Sequence, residues 1–155
     1  MSNAATSSPR WDPAFIADVI KAFDVRGLVD EQITVDFVRA VGQSFSRLMR
    51  SEGALSVVVA HDMRDSGPEL AEAFAEGVTE QGLNVINIGL ASTDEMYCAS
   101  GLLQVPGAMF TASHNPAAYN GIKLCRAGAR PVGQDTGLAT ISQELACLLY
   151  TSDAA

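Results

Sequence analysis

The sequence has few basic residues, and few that could build a metal or disulfide site. Ten Lys and Arg stand against 18 Asp and Glu in 155 residues, a formal charge of −8. With no Lys/Arg run, that balance excludes a basic nucleic-acid footprint and an anionic membrane surface as natural partners. No apolar stretch approaches the roughly 20 residues needed to span a bilayer. Cys98, Cys125 and Cys147 form neither a C-x-x-C pair nor an even disulfide set, and with only two His they make no zinc set. The opening MSNAATSSPRWDPAF has no charged segment followed by an apolar core, so no signal peptide is expected. A cytoplasmic, reduced setting follows. There is no G-x-G-x-x-G and no G-x-x-x-x-G-K-[ST], so the common nucleotide cradles are missing.

What is present suits one folded domain: 48% apolar and 18% charged residues. A chain of this length can bury roughly two-thirds of the surface it exposes when unfolded. Residues 1–12 are small and polar and read as a flexible leader, with the domain at 13–146. Ile20–Val25 alternates apolar and polar residues and stops at Arg26-Gly27, predicting a first strand and turn. From Thr34 to Met49, Val35, Val38, Val41, Phe45 and Leu48 recur at helical spacing. Leu55–Ala60 is a short β-branched run typical of a strand buried on both faces. Pro68–Gln81 predicts a helix with Pro in its first turn and Gly82 as its stop. Asn84–Ile88 is a further strand, and Ser92-Thr-Asp-Glu95 starts a short helix. Pro106–Thr111 and Ile122–Cys125 read as strands around a Ser-His-Asn-Pro turn, and Asp135–Ala146 as a last helix. Alternating strands and helices imply an α/β sandwich.

The last nine residues, 147–155, read CLLYTSDAA. They resemble the translation of a transposase adaptor used in sequencing libraries, which predicts a non-native tail and a reading frame truncated at residue 146.

The chemistry-bearing stretch is Gly107–Pro116, followed by Tyr119-Asn-Gly-Ile-Lys123. Ser113 lies where an apolar strand ends, between turn signals at Asn115-Pro116 and Asn120-Gly121. A hydroxyl held in a tight loop at a strand end can serve as a nucleophile or phosphoryl carrier, and equally as a simple turn cap. It lacks the flanking glycines of a nucleophile elbow. No carboxylate occurs between Glu95 and Asp135, while His114, Lys123, Arg126 and Arg130 fall there. That pattern predicts an electropositive patch around Ser113 suited to phosphate. Arg26 and Arg64 each sit at a predicted strand end, where α/β folds gather their ligands. For Arg64, a structural pair with Asp62 is the alternative.

Thr111-Ala-Ser-His-Asn-Pro116 with Tyr119-Asn-Gly-Ile-Lys123 resembles the active-site loop of the α-D-phosphohexomutases. Phe23-Asp-Val-Arg-Gly27 and Asp62-Met-Arg64 are similar to that family's two other N-terminal motifs, in the same order. Similarity runs from about Ile20 to Ala146. The resemblance implies domain I of such an enzyme, a three-layer α/β/α sandwich with a mixed sheet. It implies interconversion of hexose 1-phosphate and hexose 6-phosphate, of mannose or glucose, through a phosphoserine at Ser113 and a hexose 1,6-bisphosphate. Arg26 and Lys123 would neutralise the migrating phosphoryl group, with Lys123 also moving a proton. His114 would support the loop or touch the phosphate, and Asn115, Asn120 and Arg64 would bind substrate phosphate. Mg²⁺ would bind an oxygen of the Ser113 phosphate.

Phe23 stands where the family often has Tyr, His61 where Arg is commoner, and Ala60 where Gly is. The family's metal, sugar and phosphate loops belong to domains II–IV, which this sequence does not contain, so the chain alone is expected to be inactive. Two rivals remain at this stage. One is a free-standing, non-catalytic domain that binds a phosphosugar or a partner protein. The other is a Ser113 hydrolase, which would need a carboxylate orienting a His nearby.

Overall fold

The computed structural model describes residues 11–147. The expected leader and tail fall almost wholly outside the described residues, but Trp11 and Asp12 are part of the fold. The Asp12 carboxylate accepts from Phe15 N at 2.9 Å and caps helix α1 (Pro13–Val19), with Pro13 at its first turn. Trp11 and Phe15 each meet Phe37 edge-on, with ring centroids 5.5 and 5.4 Å apart. This helix is not among the expected elements; its sequence signal is Asp12-Pro13, an N-cap followed by Pro at the first helical position.

The elements that follow are β1 (Val25–Leu28), α2 (Val35–Ser51), β2 (Ser56–His61), α3 (Gly67–Glu80), β3 (Asn84–Leu90), α4 (Thr93–Leu103), β4 (Gly107–Phe110), β5 (Tyr119–Arg126), β6 (Arg130–Pro131) and α5 (Leu138–Ala146). The strands form one sheet in the order β1-β5-β4-β2-β3, with β6 beside β5. β2 runs parallel to β3 and β4, whereas β5 is antiparallel to β1, β4 and β6.

Side chains alternate across this mixed sheet. Val57, Val59, Ala108, Phe110, Ile122 and Leu124 point into the larger core, shared with α1, α2, α3 and α5. Val58, Ala60, Met109 and Cys125 point the other way, onto Met96 of α4. The result is the expected three-layer α/β/α sandwich. Phe45, Phe74 and Phe110 link α2, α3 and β4, with centroids 6.2 and 5.6 Å apart. Burial pushes the Cys125 thiol up, so it packs as a small apolar group.

Three expectations are corrected. The first strand is Val25–Leu28 and not Ile20–Val25, so Arg26 and Gly27 lie inside it, opposite Gly121 and Asn120. Gly27 makes room instead of making a turn: a Cβ there would come 2.8 Å from Gln32 Oε1, which accepts from Leu28 N. The helix after Ser92 is not short. Its Ser92–Glu95 capping box starts 11 residues, Thr93–Leu103, which Gln104 caps at φ 57°. The last helix starts at Leu138, after a 3-10 turn at Gln134–Thr136.

Candidate active site

β2 and β4 are parallel neighbours, so the loops that follow them leave the same edge of the sheet. Asp62 N donates to Phe110 O at 3.0 Å and ties the two strand ends together. Ser113 sits in the loop after β4, exposed, with φ 53°. A left-handed backbone costs an L-residue about 1–2 kcal/mol, so its surroundings must hold it there. Thr111 Oγ1 accepts from Ser113 N at 3.0 Å, and Thr111 N donates to Gly121 O at 3.0 Å. His114 is exposed beside it.

Most of the restraint comes from Arg64. Its Nη2 donates to Ser113 O at 3.0 Å and Asn115 O at 2.7 Å, and its Nη1 to Pro116 O at 2.7 Å and Tyr119 O at 2.9 Å. Its side chain is 9% exposed, with Nε 3.8 Å from Asp62 Oδ2. Asp62 Oδ1 also accepts from Arg64 N at 3.1 Å. Of the two expectations for Arg64, the structural pair with Asp62 is present, and beyond it both Nη atoms hold loop backbone.

Asp24, Arg26, Gly121 and Lys123 share one face of the β1–β5 pair, as the register requires. Arg26 Nη2 lies 2.5 Å from Asp24 Oδ2, and Lys123 Nζ 3.5 Å from the same oxygen. Arg26 Nη1 donates to Asn115 Oδ1 at 2.8 Å, while its Nε is buried without a hydrogen-bond partner. Gly121 permits this close pairing, because a Cβ there would come 2.1 Å from Val25 O. Asp24 is a site residue that the motifs do not single out; the signal for it is its position two residues before Arg26 in extended chain, which turns both side chains the same way.

Asn120 is wholly buried. Its Nδ2 donates to Ser66 Oγ at 2.8 Å and its Oδ1 accepts from Gly121 N at 2.8 Å, so it joins the β2 loop to β5 and offers no face to a ligand.

The electropositive patch is also corrected. Arg126 lies seven residues beyond Tyr119 on β5, about 23 Å at strand rise. There it pairs both ways with Glu52, at 2.9 and 2.9 Å, and reaches Thr136 O. Arg130 Nε donates to Ala127 O at 3.0 Å at the same far end. The positive charge near Ser113 is therefore Arg64 on the loop backbone, with Arg26 and Lys123 around Asp24 beyond Asn115. Asp30 and Asp65 line the open cleft of about 700 Å³ on which Ser113 borders.

The Arg126 guanidinium holds the Glu52 carboxyl below its ordinary value of 4.5. A depressed acid stabilises above its unfolded pKa and loses that contribution as pH falls through the folded one. Glu52→Gln is therefore expected to lower stability slightly at neutral pH and to reduce the acid sensitivity of melting below about pH 4.5.

Residues 17–147 match the family model "Phosphoglucomutase/phosphomannomutase, alpha/beta/alpha domain I". The chain belongs to this family. As a phosphoglucomutase/phosphomannomutase domain I, it is 40% identical over 124 residues to a phosphomannomutase of Vibrio cholerae, covering 78% of this chain and 27% of that protein. It is 42% identical over 135 residues to a Xanthomonas campestris protein named phosphohexose mutases, covering 86% and 28%. A crystal structure of a phosphoglucomutase/phosphomannomutase family protein from Burkholderia thailandensis superposes with a TM-score of 0.76 at 31% identity, over 82% of this chain and 29% of that one. The chain spans less than a third of the length of these relatives. Among the described residues no helix is long and apolar enough to cross a membrane.

Proposed function

We propose that this chain supplies the phosphoryl-carrying serine of a phosphohexomutase that interconverts hexose 1-phosphate and hexose 6-phosphate, mannose or glucose, in the cytoplasm. The observation that carries the reading is Ser113 itself: an exposed hydroxyl, held in a left-handed backbone by a loop pinned at four carbonyls, with the Arg26–Asp24–Lys123 cluster joined to that loop through Asn115.

In the forward step the bond between Ser113 Oγ and phosphorus breaks as a sugar hydroxyl oxygen bonds to the phosphorus. The sugar hydroxyl gives up its proton and Ser113 Oγ gains one. The resulting hexose 1,6-bisphosphate then returns its other phosphoryl group to Ser113 by the reverse exchange. Such transfer depends on positioning and charge neutralisation more than on covalent help. Arg26 would present a planar cation, and Lys123 would move the hydroxyl proton. The described residues contain no group of three His, Cys, Asp or Glu side chains that could hold a metal. Mg²⁺ therefore does not fit these residues alone, and no step here runs through it. Domains II–IV of a longer chain would supply the rest of the site.

The test is to incubate the purified chain with an excess of hexose 1,6-bisphosphate and record its intact mass. A gain of one phosphoryl group, located at Ser113, is expected, together with release of hexose monophosphate. Bisphosphate bound without transfer would overturn the reading in favour of a non-catalytic phosphosugar-binding domain. Supplied instead with hexose 1-phosphate, the chain alone is expected to give no sustained turnover; steady production of the 6-phosphate would show that no further domain is needed.

A further inference from the structure

We infer that Arg64 is a positioning residue whose guanidinium fixes the Ser113 loop, and that it does not bind the substrate's phosphate. The inference rests on the phosphoryl-transfer reading above and concerns how the serine is kept in register.

Four carbonyl oxygens, from Ser113, Asn115, Pro116 and Tyr119, converge on Nη1 and Nη2 at 2.7 to 3.0 Å. These carbonyls belong to residues 49 to 55 positions away in sequence, so the contact is tertiary and not a local turn. Nε is buried, and the nearest acid is the Asp62 carboxylate at 3.8 Å. A guanidinium held this way has its Nη donors committed in the plane that a phosphate would need. One of the four bonds falls on Ser113 O itself, the residue whose backbone is left-handed. A second falls on Asn115 O, while the Asn115 side chain receives Arg26. Arg64 thus sets the loop that carries the nucleophile and the amide that holds the neighbouring cation.

Only a flat fork of donors can meet four carbonyls together. A lysine ammonium is one point with three protons, so Arg64→Lys keeps the charge and loses the clamp. A phosphate ligand would largely survive that change.

The experiment compares wild type, Arg64→Lys and Arg64→Met by amide hydrogen exchange and by the rate of phosphoryl uptake from hexose 1,6-bisphosphate. Both variants are expected to keep slow exchange in β2 and β4. Both should speed exchange at the Asn115 and Tyr119 amides, which close the loop's own turns. The maximal uptake rate should fall about a hundredfold, as for a nucleophile displaced by an ångström or so, at an unchanged half-saturating concentration. A Lys variant near the wild-type rate, a raised half-saturating concentration with an unchanged maximal rate, or unaltered loop exchange would each overturn the inference. A second variant guards against a misfolded one: in Arg64→Gly, low concentrations of added guanidinium should refill the slot and restore uptake, and failure to rescue counts against the clamp. If wild type takes up no phosphoryl group, the phosphoryl-transfer reading fails, while loop exchange still decides the role of Arg64.

Discussion

Ser113→Ala is expected to abolish phosphoryl uptake while leaving the thermal melt of the chain within about 0.5 kcal/mol of wild type. The two halves of that result have separate causes. Ala retains the Cβ, so it inherits the left-handed strain at φ 53° and leaves the loop's conformational preference as it was. The restraints on the loop use the Ser113 backbone, through its N to Thr111 Oγ1 and its O to Arg64, and Ala keeps both. The residue is exposed, so no core contact is lost. What disappears is the one oxygen that can carry phosphorus. Intact mass after incubation with bisphosphate reads the first half and a melting curve the second. Persistent uptake by the variant would place the acceptor elsewhere. A large drop in melting temperature would show that the hydroxyl holds the loop together, which is the turn-cap role that the sequence leaves open.

The architecture was legible because its signals are local. Thr34 before an apolar repeat, the Val57-Val58-Val59 run and the Ser92–Glu95 box each act within a few residues, and each element appears close to its expected place. The misreadings came from residues whose meaning is set across the sheet. Gly27 and Gly121 look like turn residues in sequence. In the fold they stand inside paired strands, where a Cβ at Gly121 would strike the Val25 carbonyl and one at Gly27 would displace the Gln32 side chain. A single sequence carries no mark to separate these two uses of glycine.

At the site, the nucleophile candidate was legible and the partition of the cations was not. Arg26, Arg64, Lys123, Arg126 and Arg130 look alike as charges, and the carboxylate-free stretch suggested that three of them gather near Ser113. Strand length sends Arg126 and Arg130 to the opposite end of β5, where Glu52, distant in sequence, meets Arg126. Arg64 is at the site as expected, but it faces backbone. Asp24 is the reverse case: the two-residue period places it beside Arg26, yet an acid between Phe23 and Val25 gives no hint that Lys123, distant in sequence, shares its oxygen.

Gly77→Ala in α3 is expected to destabilise the domain by about 3 kcal/mol, a fall of about 6–12 °C in melting temperature, although helix propensity alone argues for a gain of about 1 kcal/mol. A Cβ at Gly77 would stand 2.3 Å from Arg39 O and 3.0 Å from Gln43 N, both on α2. The contact is reciprocal, since a Cβ on Gly42 of α2 would stand 2.5 Å from Phe74 O of α3. Backbone cannot swing aside as a side chain can, so the two helices must separate. Separation loosens the layer holding Phe45 and Phe74, both fully buried. Gly101, half-buried in the last turn of α4, would put a Cβ within 4 Å of nothing and provides the control. There the propensity term acts alone, and Gly101→Ala should raise the melting temperature by about 2–4 °C. One chemical change, made in two helices, should thus move stability in opposite directions. A neutral or stabilising Gly77→Ala would mean that α2 and α3 have slack at their crossing, and that the two glycines are there for some reason other than close approach.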